Sequence, residues 1–186
     1  MKGEAVMEAV EQLMDEHESV RTVLEILDRI AEDPAAVDTG HMDGIVDFLK
    51  NFVDRCHHGK EEDLLFTALQ AKGVKKEGGP IGVMLEEHRQ GRELIKAMTF
   101  ALEKMKKGDA GAADDLVKEI RNYAGLLDGH IEKENMILFP MADDLLTEAE
   151  SEGLSAGFDK LEEERIGPGK HETYHQFLEQ MSKIYL

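Results

Sequence analysis

Two decapeptides in this 186-residue chain carry the same coordinating side chains: HHGKEEDLLF at 57–66 and HIEKENMILF at 130–139. Aligned without gaps, they share His57/His130, Lys60/Lys133, Glu61/Glu134, Leu65/Leu138 and Phe66/Phe139, an offset of 73 residues. A His and a Glu four residues apart lie on one face of a helix, one turn apart. An imidazole nitrogen with a carboxylate oxygen is a chelating pair for a borderline metal such as iron, manganese or zinc. A second repeat precedes each decapeptide. LMDEHESVRTVLEIL at 13–27 aligns with MLEEHRQGRELIKAM at 84–98, matching Glu16/Glu87, His17/His88 and Arg21/Arg92 at an offset of 71.

The repeated polar residues sit inside apolar stripes. Val53, Leu64 and Leu65 flank the first His/Glu pair, and Leu126, Leu127, Ile137 and Leu138 flank the second. His17 lies between Leu13 and Leu24, and His88 between Met84, Leu85 and Ile95. Side chains on such stripes point into a helical core, where an unpaired carboxylate costs several kcal/mol. Metal coordination satisfies all six at once. Four imidazoles and two carboxylates are too many for one tetrahedral zinc, which argues for two ions. With both glutamates bridging, each ion would take two imidazoles and two carboxylate oxygens, and octahedral iron would keep a position open.

Those residues need long helices to bring them together. Apolar residues recur at spacings of three and four, predicting helices over about 4–32, 40–71, 80–107 and 112–145. Pro140 falls late in the fourth and is expected to kink or tighten its last turns. TEAE at 147–150 reads as a capping box opening a fifth helix, and HETYHQFLEQMSKIYL as a short sixth. Long helices with short links predict an all-α fold: an up-down-up-down four-helix bundle over 1–146. The C-terminal helices of 147–186 form an appendage packing on it within the same domain. The repeats make the bundle an internal duplication of one helical hairpin. Met7, Met14, Met84, Met98 and Met105 fall on the stripes as gap-filling core.

The ordered pattern His17, His57-x3-Glu61, His88, His130-x3-Glu134, with KEEDLLF and KENMILFP, resembles the hemerythrin-like, cation-binding HHE domains over roughly residues 8–145. The resemblance implies a non-haem di-iron centre in a four-helix bundle. It implies that His17 and His57 serve one iron, that His88 and His130 serve the other, and that Glu61 and Glu134 bridge. Zinc or manganese are substitutes. Animal oxygen-carrying hemerythrins have a His-x3-His pair on the third helix and end on an aspartate with longer spacing. Here Arg92 stands four after His88, and the last carboxylate is Glu134. The pattern instead resembles the bacterial H-HxxxE-H-HxxxE subgroup and the domain of the iron-sensing F-box protein. Fewer histidines leave more open positions, favouring reaction with peroxide, dioxygen or nitric oxide over reversible oxygen carriage.

Other polar residues are candidates for an additional ligand or a supporting role. His58 lies about 100° round an α-helix from His57, which favours an outward, solvated ring over a ligand. His171 and His175 again have chelate spacing, though a polar turn opening a docking helix is the favoured reading; Tyr174 lies between them. Tyr123, two turns before His130, shares its face. The formal net charge of −18 repels nucleic acid and anionic membrane surfaces. The single cysteine, Cys56, rules out an intramolecular disulfide and fits a reducing cytoplasm. The acidic start lacks the apolar run of a signal peptide, and no stretch reaches membrane-spanning length. The expected function is a cytoplasmic di-iron protein that binds or senses dioxygen, nitric oxide, peroxide or iron. The alternatives are a peroxidase-, catalase- or ferroxidase-like oxidoreductase, and a zinc-bound or metal-free interaction bundle. No nucleophile triad or phosphate loop accompanies the pattern.

Overall fold

The computed structural model describes residues 8–186, and these are all-helical, without a strand among them. Six helical rods follow one another. The first, α1, is Glu8–Glu32. A 3-10 turn at Pro34–Ala36 and an Asp38 cap, whose carboxylate accepts from the Gly40 and His41 amides at 2.8 and 2.9 Å, then open α2. The rod α2 spans 39–71 and changes its winding on the way. It is α-helical over Thr39–Phe48, π-helical over Leu49–His58 and Glu61–Leu65, and α-helical again over Phe66–Ala71. Gly73, at φ 93°, stops it: the Val74 amide bonds the Leu69 carbonyl and the Gly73 amide that of Gln70. That pairing satisfies carbonyls a helix end would orphan, and only glycine adopts the left-handed turn without strain.

Pro80–Lys106 forms α3, with proline in its first turn, where no amide donor is needed. The rod α4 spans 112–145, α-helical over Ala112–Lys133, π-helical over Glu134–Leu138 and α-helical over Phe139–Leu145. Of the two effects expected of Pro140, a kink or a tightening, the tightening is corrected: the helix widens just before it. A proline lacks the returning N–H and its ring crowds the carbonyl four residues back, so the i→i+5 pattern accommodates it.

Glu148–Arg165 forms α5 behind a capping box in which Thr147 and Glu150 satisfy each other's backbone amides. Thr147→Ala should therefore cost about 1 kcal/mol, the usual worth of such a cap, read as a lower urea midpoint at unchanged slope. Lys170–Tyr185 forms α6. It lies close on α2, where a Cβ on Gly44 would meet the Phe177 ring at 2.6 Å. No helix among the described residues is long and apolar enough to cross a membrane.

The core is two apolar clusters with a polar layer between them. One gathers Val20 to Ala31 of α1, Met42 to Val53 of α2, Ile95 to Leu102 of α3 and Leu116 to Ile131 of α4, with Leu178 and Met181 of α6. The other gathers Ala9 to Leu13, Leu65 to Leu69, Ile81 and Met84, and Leu138 to Leu146, with Leu154 and Phe158 of α5. Each of α1 to α4 thus passes from one cluster to the other, and its histidines fall at the crossing. Of the expected core methionines, Met84 and Met98 are buried and Met105 packs at the margin. Met14 is on the outer face, one residue and about 100° round from the buried Leu13; Met7 lies outside the described residues.

Candidate metal centre

The polar layer holds His17 from α1, His57, His58 and Glu61 from α2, His88 from α3, and His130 and Glu134 from α4, all buried. Their ligand atoms form two groups, each within 4.8 Å of one another: His17, His57, Glu61 and Glu134, and His58, Glu61, His88 and His130. Glu61 belongs to both, with one oxygen 3.5 Å from His57 Nε2 and the other 3.4 Å from His88 Nε2. Glu134 also reaches both, with one oxygen 3.2 Å from His17 Nε2 and 3.3 Å from His130 Nε2. All four carboxylate oxygens and His17 Nε2 lack a hydrogen-bond partner among the described residues. Imidazole nitrogens stand near enough to attract them but without hydrogen-bonding geometry. Buried carboxylates in that condition are costly, and a cation between the groups would satisfy every one of them. The donor set, nitrogen and carboxylate oxygen, suits iron, manganese or zinc.

Four of the five imidazoles have an engaged outer nitrogen, whereas His58 Nδ1 has no hydrogen-bond partner among the described residues. His57 Nδ1 lies 2.8 Å from Glu16, His130 Nδ1 3.0 Å from Glu87, His88 Nδ1 2.7 Å from Glu62, and His17 Nδ1 2.8 Å from the Asn135 side-chain oxygen. An acceptor at Nδ1 turns Nε2 inward, the arrangement that orients metal-binding histidines, and the inward Nε2 atoms of His88 and His130 lie 3.1 Å apart. Lys60 bonds Glu16 and Lys133 bonds Glu87, so one Glu–His–Lys constellation occurs twice. The repeat aligns Glu16 with Glu87 and Lys60 with Lys133 but does not by itself give them a role. Their shared place in the repeat was the available signal.

His58 is corrected. It is 3% exposed rather than solvated, stacked on the His88 ring at 3.8 Å between centroids. The cause is the π winding, which places more than 3.6 residues in a turn and so separates neighbours by less than the α-helical angle. Both His57 and His58 then face inward, and His58 has no counterpart at Ile131. Burial, reinforced by the neighbouring imidazoles of His88 and His130, holds the His58 pKa well below its ordinary value. The ring is thus neutral, the form that binds a metal. Burial opposes charge on Glu61, yet the surrounding imidazoles of His57 and His88 draw its carboxyl down. His88 moves the opposite way, because Glu61 and Glu62 together outweigh its burial.

The remaining candidates lie outside both groups. His171 bonds Glu162 at 2.8 Å and stacks on His175. The Tyr174 hydroxyl donates to Asp47 at 2.9 Å. Tyr123 is fully buried with an unpartnered hydroxyl among the described residues. Cys56 is 1% exposed, and burial pushes its thiol up to about 12. It should react with a disulfide reagent at pH 8 only as fast as the protein opens, which stopped-flow absorbance in native and denatured protein would compare.

Uncharacterized protein Rv1995 of Mycobacterium tuberculosis is 24% identical over 168 residues, covering 88% of this chain and 65% of that protein. Uncharacterized protein Mb2018 of Mycobacterium bovis matches to the same extent. The chain thus spans 65% of the length of the curated relatives it matches. No solved structure matches it. The family of the hemerythrin HHE cation binding domain matches residues 8–142, the segment that supplies every residue of both groups. The chain belongs to the hemerythrin HHE cation-binding domain family.

Proposed function

We propose that this chain holds two iron ions between its two ligand groups and uses them to bind or sense a small ligand: dioxygen, nitric oxide, peroxide or iron itself. The observation that carries this reading is the unsatisfied inner face of Glu61 and Glu134, set against histidines whose outer nitrogens are already engaged. His17 and His57 serve one ion, and His88 and His130 the other, with His58 as a fifth imidazole on that second side. Glu61 and Glu134 are the shared carboxylates. When bound, a ferrous pair supplies Lewis acidity and electrons for a dioxygen or peroxide ligand. The chain itself holds the ligand set in place, excludes water with the two apolar clusters, and restricts access to small molecules.

The finer architecture belongs to the same proposal. Helices α1 to α4 run up-down-up-down, α1–α2 and α3–α4 are copies of one hairpin, and α5–α6 complete the domain. The twofold Glu–His–Lys constellation supports that duplication, and the absence of a His58 counterpart marks where the copies diverged.

Metal analysis after anaerobic loading with ferrous iron tests the assignment. Wild type should hold two ions per chain. Glu61→Ala should lose more metal than His58→Ala, because Glu61 is shared and His58 is not. Equal retention in the two variants contradicts the shared role, and no bound metal in wild type ends the proposal.

A further inference from the structure

The two Glu–His–Lys constellations differ in their surroundings. Lys133 is 40% exposed, so water solvates its ammonium beside Glu87. Lys60 is 0% exposed, and water does not reach it. Its second carboxylate partner is Glu162 of α5, at 2.9 Å, which in turn accepts from His171 of α6 at 2.8 Å. A chain of contacts therefore runs from the C-terminal helices to the interior: His171, Glu162, Lys60, Glu16, His57. The cluster of Glu16, Glu162 and His171 has metal-binding residue types. Lys60 already supplies its cation.

Resting on the metal reading above, we infer that Glu162 is a positioning residue for one half of the centre: it sets how strongly Lys60 competes with His57 for Glu16. A buried ammonium shared between two carboxylates leaves Glu16 enough negative charge to hold the His57 Nδ1 proton. With Glu162 neutral, Lys60 turns its whole charge on Glu16. The grip on His57 weakens, and the imidazole loses both its fixed orientation and some of its basicity toward a metal. His130 is indifferent to this change, because Lys133 is balanced by solvent. The C-terminal helices thereby act on the His17/His57 side of the centre while contributing no ligand to it.

The test compares full-length wild type, Glu162→Gln and Thr147→Ala. Thr147→Ala loosens α5 without touching the relay. In metal-free protein, long-range nitrogen-15 correlations of the imidazoles report tautomer and hydrogen bonding. Glu162→Gln should move the His57 signals and leave those of His130 in place, and Thr147→Ala should move neither. After iron loading, one of the two ions should be held at least about tenfold more weakly in Glu162→Gln, the low end of what losing an outer partner costs. The second ion should be unaffected. Unchanged His57 signals in Glu162→Gln would overturn the inference, as would equal changes in Thr147→Ala or equal weakening of both ions. If wild type binds no iron, the metal reading fails, and the metal-free His57 signals still decide the role of Glu162.

Discussion

Stripping the metal should lower the unfolding free energy by several kcal/mol. A ligand bound only by the folded state and present at a thousand times its dissociation constant adds about 4.1 kcal/mol, so two sites add roughly twice that. The effect is large because both groups lie wholly inside, between the two apolar clusters, and an unfolded chain has no such site. Urea unfolding with and without a chelator reads the difference. Glu134→Met extends the test. It should abolish the metal-dependent increment, yet its metal-free form should be at least as stable as metal-free wild type. The reason is that both Glu134 oxygens lack a hydrogen-bond partner among the described residues, and each such buried atom costs about 1–3 kcal/mol. A metal-free Glu134→Met that unfolds earlier would mean the surrounding imidazoles hold the carboxylate without help from a cation.

Lys60→Met should cost about 3–5 kcal/mol, the penalty for leaving one member of a buried ion pair alone. The abandoned group is Glu16, which is 3% exposed and loses the donor to one of its two oxygens. Methionine keeps much of the volume, so the loss reports charge rather than a cavity. Lys133→Met should cost far less, because that ammonium already reaches water. The cost also depends on pH in a definite sense. Burial raises the Glu162 carboxyl, but hydrogen bonds from His171 and Lys60 outweigh it and hold the group at about 2. A depressed carboxylate contributes stability above its unfolded value, about 4.3, and loses it as pH falls through the folded one. Lys60 is raised above its ordinary value, so its contribution fades only in strong alkali. The gap between wild type and Lys60→Met should be level from about pH 5 to pH 10 and shrink between about pH 4 and pH 2. A gap that stays constant into acid would separate Lys60 from Glu162.

The helical rods and their inward polar residues were legible in the sequence for a physical reason. His17, His57, Glu61, His88, His130 and Glu134 sit on stripes of period 3.6, and a polar residue on such a stripe faces the core whatever its chemistry. The repeat then singled out six of them together. His58 was not legible, because an α-helical 100° per residue places it outward and π winding leaves no mark on apolar periodicity. Nor was the partnership of Glu162 with Lys60, which joins residues 102 positions apart. Glu162 stands in the acidic run LEEER, where any of three glutamates could face inward. Only the docking of α5 chooses among them.

The π turns of α2 and α4 also bear on how such a chain can change over generations. A wide turn holds a residue that an α-helix of equal length would lack, while the flanking turns keep their faces. Deleting one residue there lets the backbone close into α-helix, with Ile45 and Phe48 before it and Leu69 after it still directed at their own clusters. Only the crowding of His57 and His58 toward the same interior is released. Ligand number can thus vary by insertion or deletion at one turn, and the apolar layers on either side need not be rebuilt.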